Sequence, residues 1–203
     1  MKVIDAMGLL CPVPVIMARN AIREFPQEGG VVQVLVDNEV ATENLKKMAD
    51  SKGYGYEMEK VADRNYKVTI TVGEGQAQEE KPQAAAPSQA RGDGLVVAIG
   101  QNQMGHGSEE LGKILIKGFI FSLSQLDVPP KSVVFFNSGV KLTLKDANTL
   151  DDLKALEAKG CKIKVCGTCT DFLKVKDDVS VGEIVNMYDI VDTMSGAQTV
   201  INI

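Results

Sequence analysis

A chain of 203 residues has room for one or two domains of ordinary size, and 44% hydrophobic side chains suffice for a packed core. A formal charge of -5 with scattered Lys and Arg argues against a broad nucleic-acid footprint, and the absence of Trp with few aromatics leaves no stacking platform for single strands. No basic n-region with an apolar run opens the chain and no apolar stretch approaches a membrane span, so the expectation is a cytoplasmic protein without membrane contact, whose four cysteines serve as thiols, metal ligands or redox groups rather than structural disulfides.

The first predicted domain covers residues 1–72. "KVIDA" reads as a strand. Pro12 to Glu24 reads as a helix with Val15, Ile16, Ala18, Ile22 and Phe25 on or near one face. "VVQVLVD" alternates and is β-branched, the pattern of a strand. Glu39 to Ser51 reads as a second helix, with Val40, Leu45 and Met48 inward and Gly53 as its stop. "YGYEMEKV" and "YKVTITV" flank a turn at "ADRN" and predict a hairpin. The order βαβαββ implies a small two-layer α/β sandwich.

Residues 73–93 are rich in Gly, Gln, Ala, Glu and Pro and carry no apolar periodicity, so they read as a flexible linker. A coil of about 20 residues spans roughly 25 Å, which separates two domains without taking them far apart.

The second predicted domain covers residues 94–203. "GLVVAIG" is a near-continuous apolar strand of the kind buried in a parallel sheet. Ser108 caps a predicted helix to Gln125, with Leu111, Ile114, Leu115, Phe119 and Leu123 along one face. "KSVVFFNSGV" reads as strand and loop, Leu150 to Lys159 as a helix ended by Gly160, and "CKIKVC" as a strand. Gly182 to Val191 reads as a helix and "AQTVINI" as a final strand. Alternating β and α predicts a doubly wound parallel sheet.

"GLLCPVPVIMARNAI" puts Cys11 beside two prolines at the start of a predicted helix. Pro is favoured in the first helical turn, where its missing N–H has no intrahelical partner. Cys11 is then expected at the N-cap, where the positive end of the helix dipole favours the thiolate, the form that attacks sulfur. Gly8 leaves the backbone before it free to turn sharply. The competing reading makes Cys11 a buried small hydrophobe without chemistry. Residues 1–72 contain no His, so a Cys/His hydrolytic nucleophile is not available within them.

Asp5, Gly8, Leu9, Cys11, Pro12 and Pro14 spell Asp-x-x-Gly-Leu-x-Cys-Pro-x-Pro. This motif resembles the signature of the TusA-like (SirA-like) sulfur carriers, whose βαβαββ order also matches. In that family the motif cysteine carries a persulfide received from a cysteine desulfurase or another donor and passes it to an acceptor. The resemblance gives that role to Cys11.

"CKIKVCGTCTDF" holds the other three cysteines. Cys166 falls where a parallel strand ends, the end at which α/β sheets place their chemistry, and Cys169 near the start of the next helix. Cys161, at the opposite end of the strand, reads as packing. Cys166 and Cys169 admit a redox pair, half a zinc site completed by Cys161 and His106, a persulfide site with a resolving thiol, or two packed thiols. "VVAIG", then "GHGSEELG" opening a helix, then "VCGTC" after a late strand is similar to DsrE-like domains. The active cysteine of members that have one corresponds to Cys166, and such domains often form homo-oligomers. The TusA-like and DsrE-like domains joined by a tether resemble the YedF-like proteins, which are associated with selenium metabolism.

"GQNQMGHGSEELG" departs from the dinucleotide fingerprint, because the third Gly would fall at Glu110, and it lacks the Lys-Ser/Thr of a phosphate loop. No cofactor and no metal are expected, and His106 reads either as an aid to a nearby thiol or as a solvated loop residue. The leading expectation is a sulfur or selenium carrier, or sulfurtransferase-like protein, relaying a persulfide or selenosulfide on Cys11, with Cys166 as its partner in the same chain. The donor would be a cysteine desulfurase or another sulfur or selenium donor. The alternatives are a thiol–disulfide redox protein using Cys166 and Cys169, or a docking and regulatory protein without catalysis.

Overall fold

The computed structural model describes residues 1–10, 12–26, 28–74 and 94–203. Cys11 and the linker segment 75–93 lie outside the described residues. The chain divides into two compact units, Met1–Ala85 and Ala86–Ile203.

In the first unit β1 (Lys2–Asp5), α1 (Val13–Arg23), β2 (Gly30–Val36), α2 (Glu39–Lys52), β3 (Gly55–Ala62) and β4 (Asn65–Val72) follow the βαβαββ order. Among the described residues they form one sheet in the order β1-β2-β4-β3, with β1 parallel to β2 and the remaining pairs antiparallel. Val32, Val34 and Val36 are fully buried at alternate positions of β2, and Val34 and Val32 sit opposite buried Val68 and Ile70 of β4. Ala18 and Ile22 of α1 and Leu45 and Ala49 of α2 complete the same apolar cluster, which makes the helices one layer over one face of the sheet. The edge strand β3 carries Glu57, Glu59 and Lys60 outward, charges that discourage further strand pairing. Asn38 caps α2 by accepting from the Ala41 N–H at 2.9 Å, and Gly53, at φ 69, ends it.

Two local expectations for this unit are corrected. The first helix begins at Val13 with Pro12 at the capping position, so Pro12 holds the place expected of Cys11. Pro14, not Pro12, is the proline inside the first turn. In α2, Leu45 is buried as expected, but Val40 is 61% exposed and Ala41, Thr42 and Ala49 take the inner face. Small residues let α2 lie close to the sheet, and a reading of large apolar side chains passes over them.

In the second unit β5 (Leu95–Ile99), α3 (Glu109–Ser124), β6 (Ser132–Phe135), α4 (Leu150–Ala158), β7 (Lys162–Cys166), α5 (Gly167–Leu173), β8 (Glu183–Val185), α6 (Met187–Ser195) and β9 (Thr199–Asn202) alternate along the chain. A 3₁₀ turn, Asn137–Thr143, follows β6. Among the described residues the strands form a wholly parallel sheet in the order β8-β7-β6-β5-β9. Successive strands step outward from β5 to β8, and β9 then returns to the other side of β5. The boundary between β5 and β9 is therefore the topological switch point. β6 is buried at every position, as a central strand covered on both faces must be.

The predicted helix Gly182 to Val191 is replaced by strand β8 and helix α6. Asn186 caps α6 by accepting from the Asp189 N–H at 3.0 Å, which delays the helix until Met187. The inner face of α3 is also corrected. Leu123 is buried, but Leu111, Ile114 and Leu115 are exposed, and Gly112, Ile116 and Ile120 face the core. Gly112 sets this rotation. Its carbonyl accepts from the Met104 N–H at 2.9 Å, and a Cβ there would stand 3.2 Å from the Met104 carbonyl oxygen.

Candidate functional site

The motif loop of the first unit is built by short-range bonds. Asp5 Oδ1 accepts from the Met7 N–H at 3.0 Å, closing an Asx turn at the end of β1. The Leu9 N–H donates to the Ala6 carbonyl at 3.3 Å, and Gly8 inside that turn takes φ 72, a left-handed conformation that glycine adopts without steric cost. Leu9 packs against the core cluster and Pro14 is buried in the first turn of α1. The Val13 N–H donates to the Leu10 carbonyl at 3.0 Å. That bond ties the described residues Leu10 and Val13 together at the entrance of α1. Asp5, Gly8, Leu9, Pro12 and Pro14 are thus gathered in one loop and helix start. Beside it, Met7 and Leu10 are 40% and 62% exposed, an apolar rim next to the motif cysteine's place in the chain.

Asp37, just beyond β2, contributes to this loop and was passed over in the sequence. Its carboxyl is held below the ordinary carboxylate value first by the side-chain amide of Asn38 at 3.0 Å, and also by backbone N–H groups that include Gly8. Arg64, in the β3–β4 turn, stands 4.0 Å away. An acidic residue directly before an N-capping Asn was the available signal.

In the second unit Cys166 ends β7 and caps α5, and Cys169 lies in the first turn of α5. Both are free thiols. The Cys169 S–H donates to Cys166 Sγ at 3.1 Å, beyond the length of a disulfide bond. The Asn137 N–H donates to Cys169 Sγ at 3.1 Å. The two sulfurs differ in access: Cys166 is fully buried in the core cluster, and Cys169 is half-buried. Burial, and then the bond to Cys166, push the Cys169 thiol above its ordinary value, while the Asn137 amide works in the opposite direction.

Asn137 holds φ 50, a left-handed conformation uncommon for any residue but glycine. The turn that begins there is pressed onto the end of β5: a Cβ on Gly139 would stand 2.2 Å from the Ile99 carbonyl oxygen. Asn137 also lines a cleft of about 400 Å³ with Gly100, Gln101, His106, Phe136, Asn202 and Ile203. These residues follow β5 and β6 or end β9, so the cleft opens at the carboxyl ends of the strands and at the switch point. His106 is exposed and faces this cleft.

Cys161 lies at the opposite end of β7, 2% exposed within the core cluster, and burial pushes its thiol up to about 12. Among the described residues no three His, Cys, Asp or Glu side chains gather as a metal site.

Comparison with known proteins agrees with this architecture. The family described as Sulfurtransferase TusA matches residues 2–72, and the DsrE/DsrF-like family matches residues 119–203. A candidate sulfur carrier protein of Methanocaldococcus jannaschii is 33% identical over 70 residues, covering 34% of this chain and 92% of that protein. The crystal structure of a SirA-like protein from Desulfitobacterium hafniense is 47% identical, with a TM-score of 0.35, over 36% of this chain and all of that one. The ychN protein of E. coli is 18% identical, with a TM-score of 0.43, over 54% of this chain and 97% of that one. The chain belongs to the TusA family of sulfur carriers through residues 2–72, and a DsrE/DsrF-like region accompanies that unit.

Proposed function

We propose that the chain is a sulfurtransferase-like carrier that holds sulfur, or selenium in a YedF-like role, as Cys–S–SH or Cys–S–SeH on Cys11. The domains are 1–72 for the carrier, 73–93 for the tether and 94–203 for a partner domain whose thiols are Cys166 and Cys169. A cysteine desulfurase, or another persulfide donor of the cytoplasm, presents its outer sulfur. The Cys11 thiolate attacks that sulfur and the donor thiolate leaves. An acceptor thiolate repeats the step on the loaded Cys11.

The closed motif loop supports this reading most. The Asx turn at Asp5, the left-handed Gly8 and the Leu10–Val13 hydrogen bond order the described residues on both sides of Cys11 in the sequence. Pro12 holds the cap of α1, and Cys11 directly precedes it in the sequence. Exposed Met7 and Leu10 offer apolar contact to a protein partner. Residues 1–72 hold no second cysteine, so a persulfide on Cys11 has no resolving thiol in its own domain and persists until a partner arrives.

Intact-mass spectrometry after incubation with a cysteine desulfurase and cysteine, or selenocysteine, tests the reading. The expected result is one added chalcogen atom, lost in Cys11→Ala. An adduct that survives in Cys11→Ala contradicts it.

A second reading, a thiol–disulfide protein using Cys166 and Cys169, draws on their 3.1 Å approach. Its mark is a reversible loss of two hydrogens across a redox titration without any sulfur donor.

A further inference from the structure

We infer that the Cys166–Cys169 pair is a persulfide-discharging site: Cys169 takes the sulfur, and Cys166 expels it as hydrosulfide. The inference rests on the relay reading for its sulfur supply and deepens it by giving the two thiols an order and the relay an outlet.

The order follows from access. Cys166 Sγ is sealed in the core at the end of β7, so an incoming persulfide cannot reach it without opening the fold. Cys169 is half-buried and accepts from the Asn137 amide, whose residue lines the 400 Å³ cleft. The Asn137 N–H stabilises negative charge on Cys169 Sγ. The backbone that aims it is held at φ 50, a left-handed conformation that Asn tolerates, and is braced by the close approach of Gly139 to the Ile99 carbonyl.

The outlet follows from proximity. First, the Cys169 thiolate attacks the outer sulfur of a persulfide R–S–SH. The Cys169 Sγ–S bond forms, the R–S bond to that sulfur breaks, and R–S⁻ takes up the proton that Cys169 gave up. Cys166 Sγ then stands 3.1 Å from the inner sulfur of the new persulfide. Cys166 gives up its proton, its thiolate attacks Cys169 Sγ, the bond from Cys169 Sγ to the transferred sulfur breaks, a Cys166–Cys169 disulfide forms, and HS⁻ leaves and can take up that proton. Over both steps the transferred sulfur and the R–S sulfur gain one electron each, and the two cysteine sulfurs lose one each. An external dithiol resets the pair and is itself oxidised to a disulfide. A nucleophile held this close has an effective molarity of about 10⁵ M or more when well aligned, so the second persulfide is short-lived. The contrast with Cys11, which has no cysteine neighbour within residues 1–72, separates a store from an outlet.

The test uses the full chain with Cys11→Ser, reduced, freed of reductant and mixed with glutathione persulfide. The expected result is a burst of one hydrosulfide per chain, with the chain lighter by two hydrogens. In Cys166→Ala on the same background the burst disappears and one sulfur stays on Cys169. Cys169→Ser, a near-isosteric change at the half-buried position, takes up no sulfur and gives no burst. A chain that keeps the added sulfur with both thiols present overturns the inference, as does an adduct on Cys166 in Cys169→Ser. Since Cys11 is absent from every sample, failure here leaves the carrier reading standing, and failure of Cys11 loading leaves this result unchanged.

Discussion

Gly8 sits at φ 72 with nothing within 4 Å of where a Cβ would stand, so a side chain there meets a backbone penalty and no clash. Gly8→Ala is expected to cost about 1–2 kcal/mol of stability and, under the proposed function, to slow loading of Cys11, three residues on in the sequence. Denaturant midpoints and loading rates of the same variant check both; unchanged loading would detach the loop geometry from the chemistry. Cys161 carries a different consequence. Between its ordinary value of 9.0 and about 12, the unfolded chain releases this proton and the folded chain keeps it. Stability is therefore full below pH 9 and falls as pH rises through that window. Cys161→Val is expected to flatten the fall, measured as urea midpoints below and inside the window; an equal fall in the variant would remove Cys161 as its cause. At this scale Gly8, Pro14 and the cysteine pair were legible from their neighbours in the sequence. Asp37 was not, because its part in the loop rests on a backbone hydrogen bond from Gly8, distant in the chain, while its larger bond to neighbouring Asn38 is local.

At the scale of elements, α3 shows what periodicity can and cannot decide. Its residues are apolar nearly all round, so several faces satisfy a 3.6-residue spacing equally. The glycine at 112 broke the tie through close backbone approach, a property that no count of apolar side chains contains. Ile116→Ala is accordingly expected to cost about 2–5 kcal/mol. Leu115→Gln, on the exposed face, should change stability by about 0.5 kcal/mol or less. Thermal melts of the two variants check the assignment, and the reverse ranking would restore the rejected face. The β-branched runs of β2 and β4 were readable as strands in advance, whereas their antiparallel register came only with the structure. β8 was not, because three residues are too few for a period and its signal was the cap at Asn186.

For the whole molecule, the TusA-like and DsrE/DsrF-like units supply unlike thiols: one cysteine alone in residues 1–72, and a contacting pair at the carboxyl end of a parallel sheet. Under the proposed function, a tether about 20 residues long would give each an effective concentration of about millimolar toward the other. The place of the Cys166–Cys169 pair at a strand end was readable from the sequence, whereas the unequal burial of the two thiols was not, since spacing does not carry it. The most direct measurement compares sulfur transfer from loaded Cys11 to the second unit within one chain and between two. The intact chain is set against an equimolar mixture of Cys166→Ala/Cys169→Ala and Cys11→Ala chains at micromolar concentration. Transfer within the chain is predicted to be independent of protein concentration and about 10³-fold faster than in the mixture. Equal rates, rising together with concentration, would contradict a relay built into one chain.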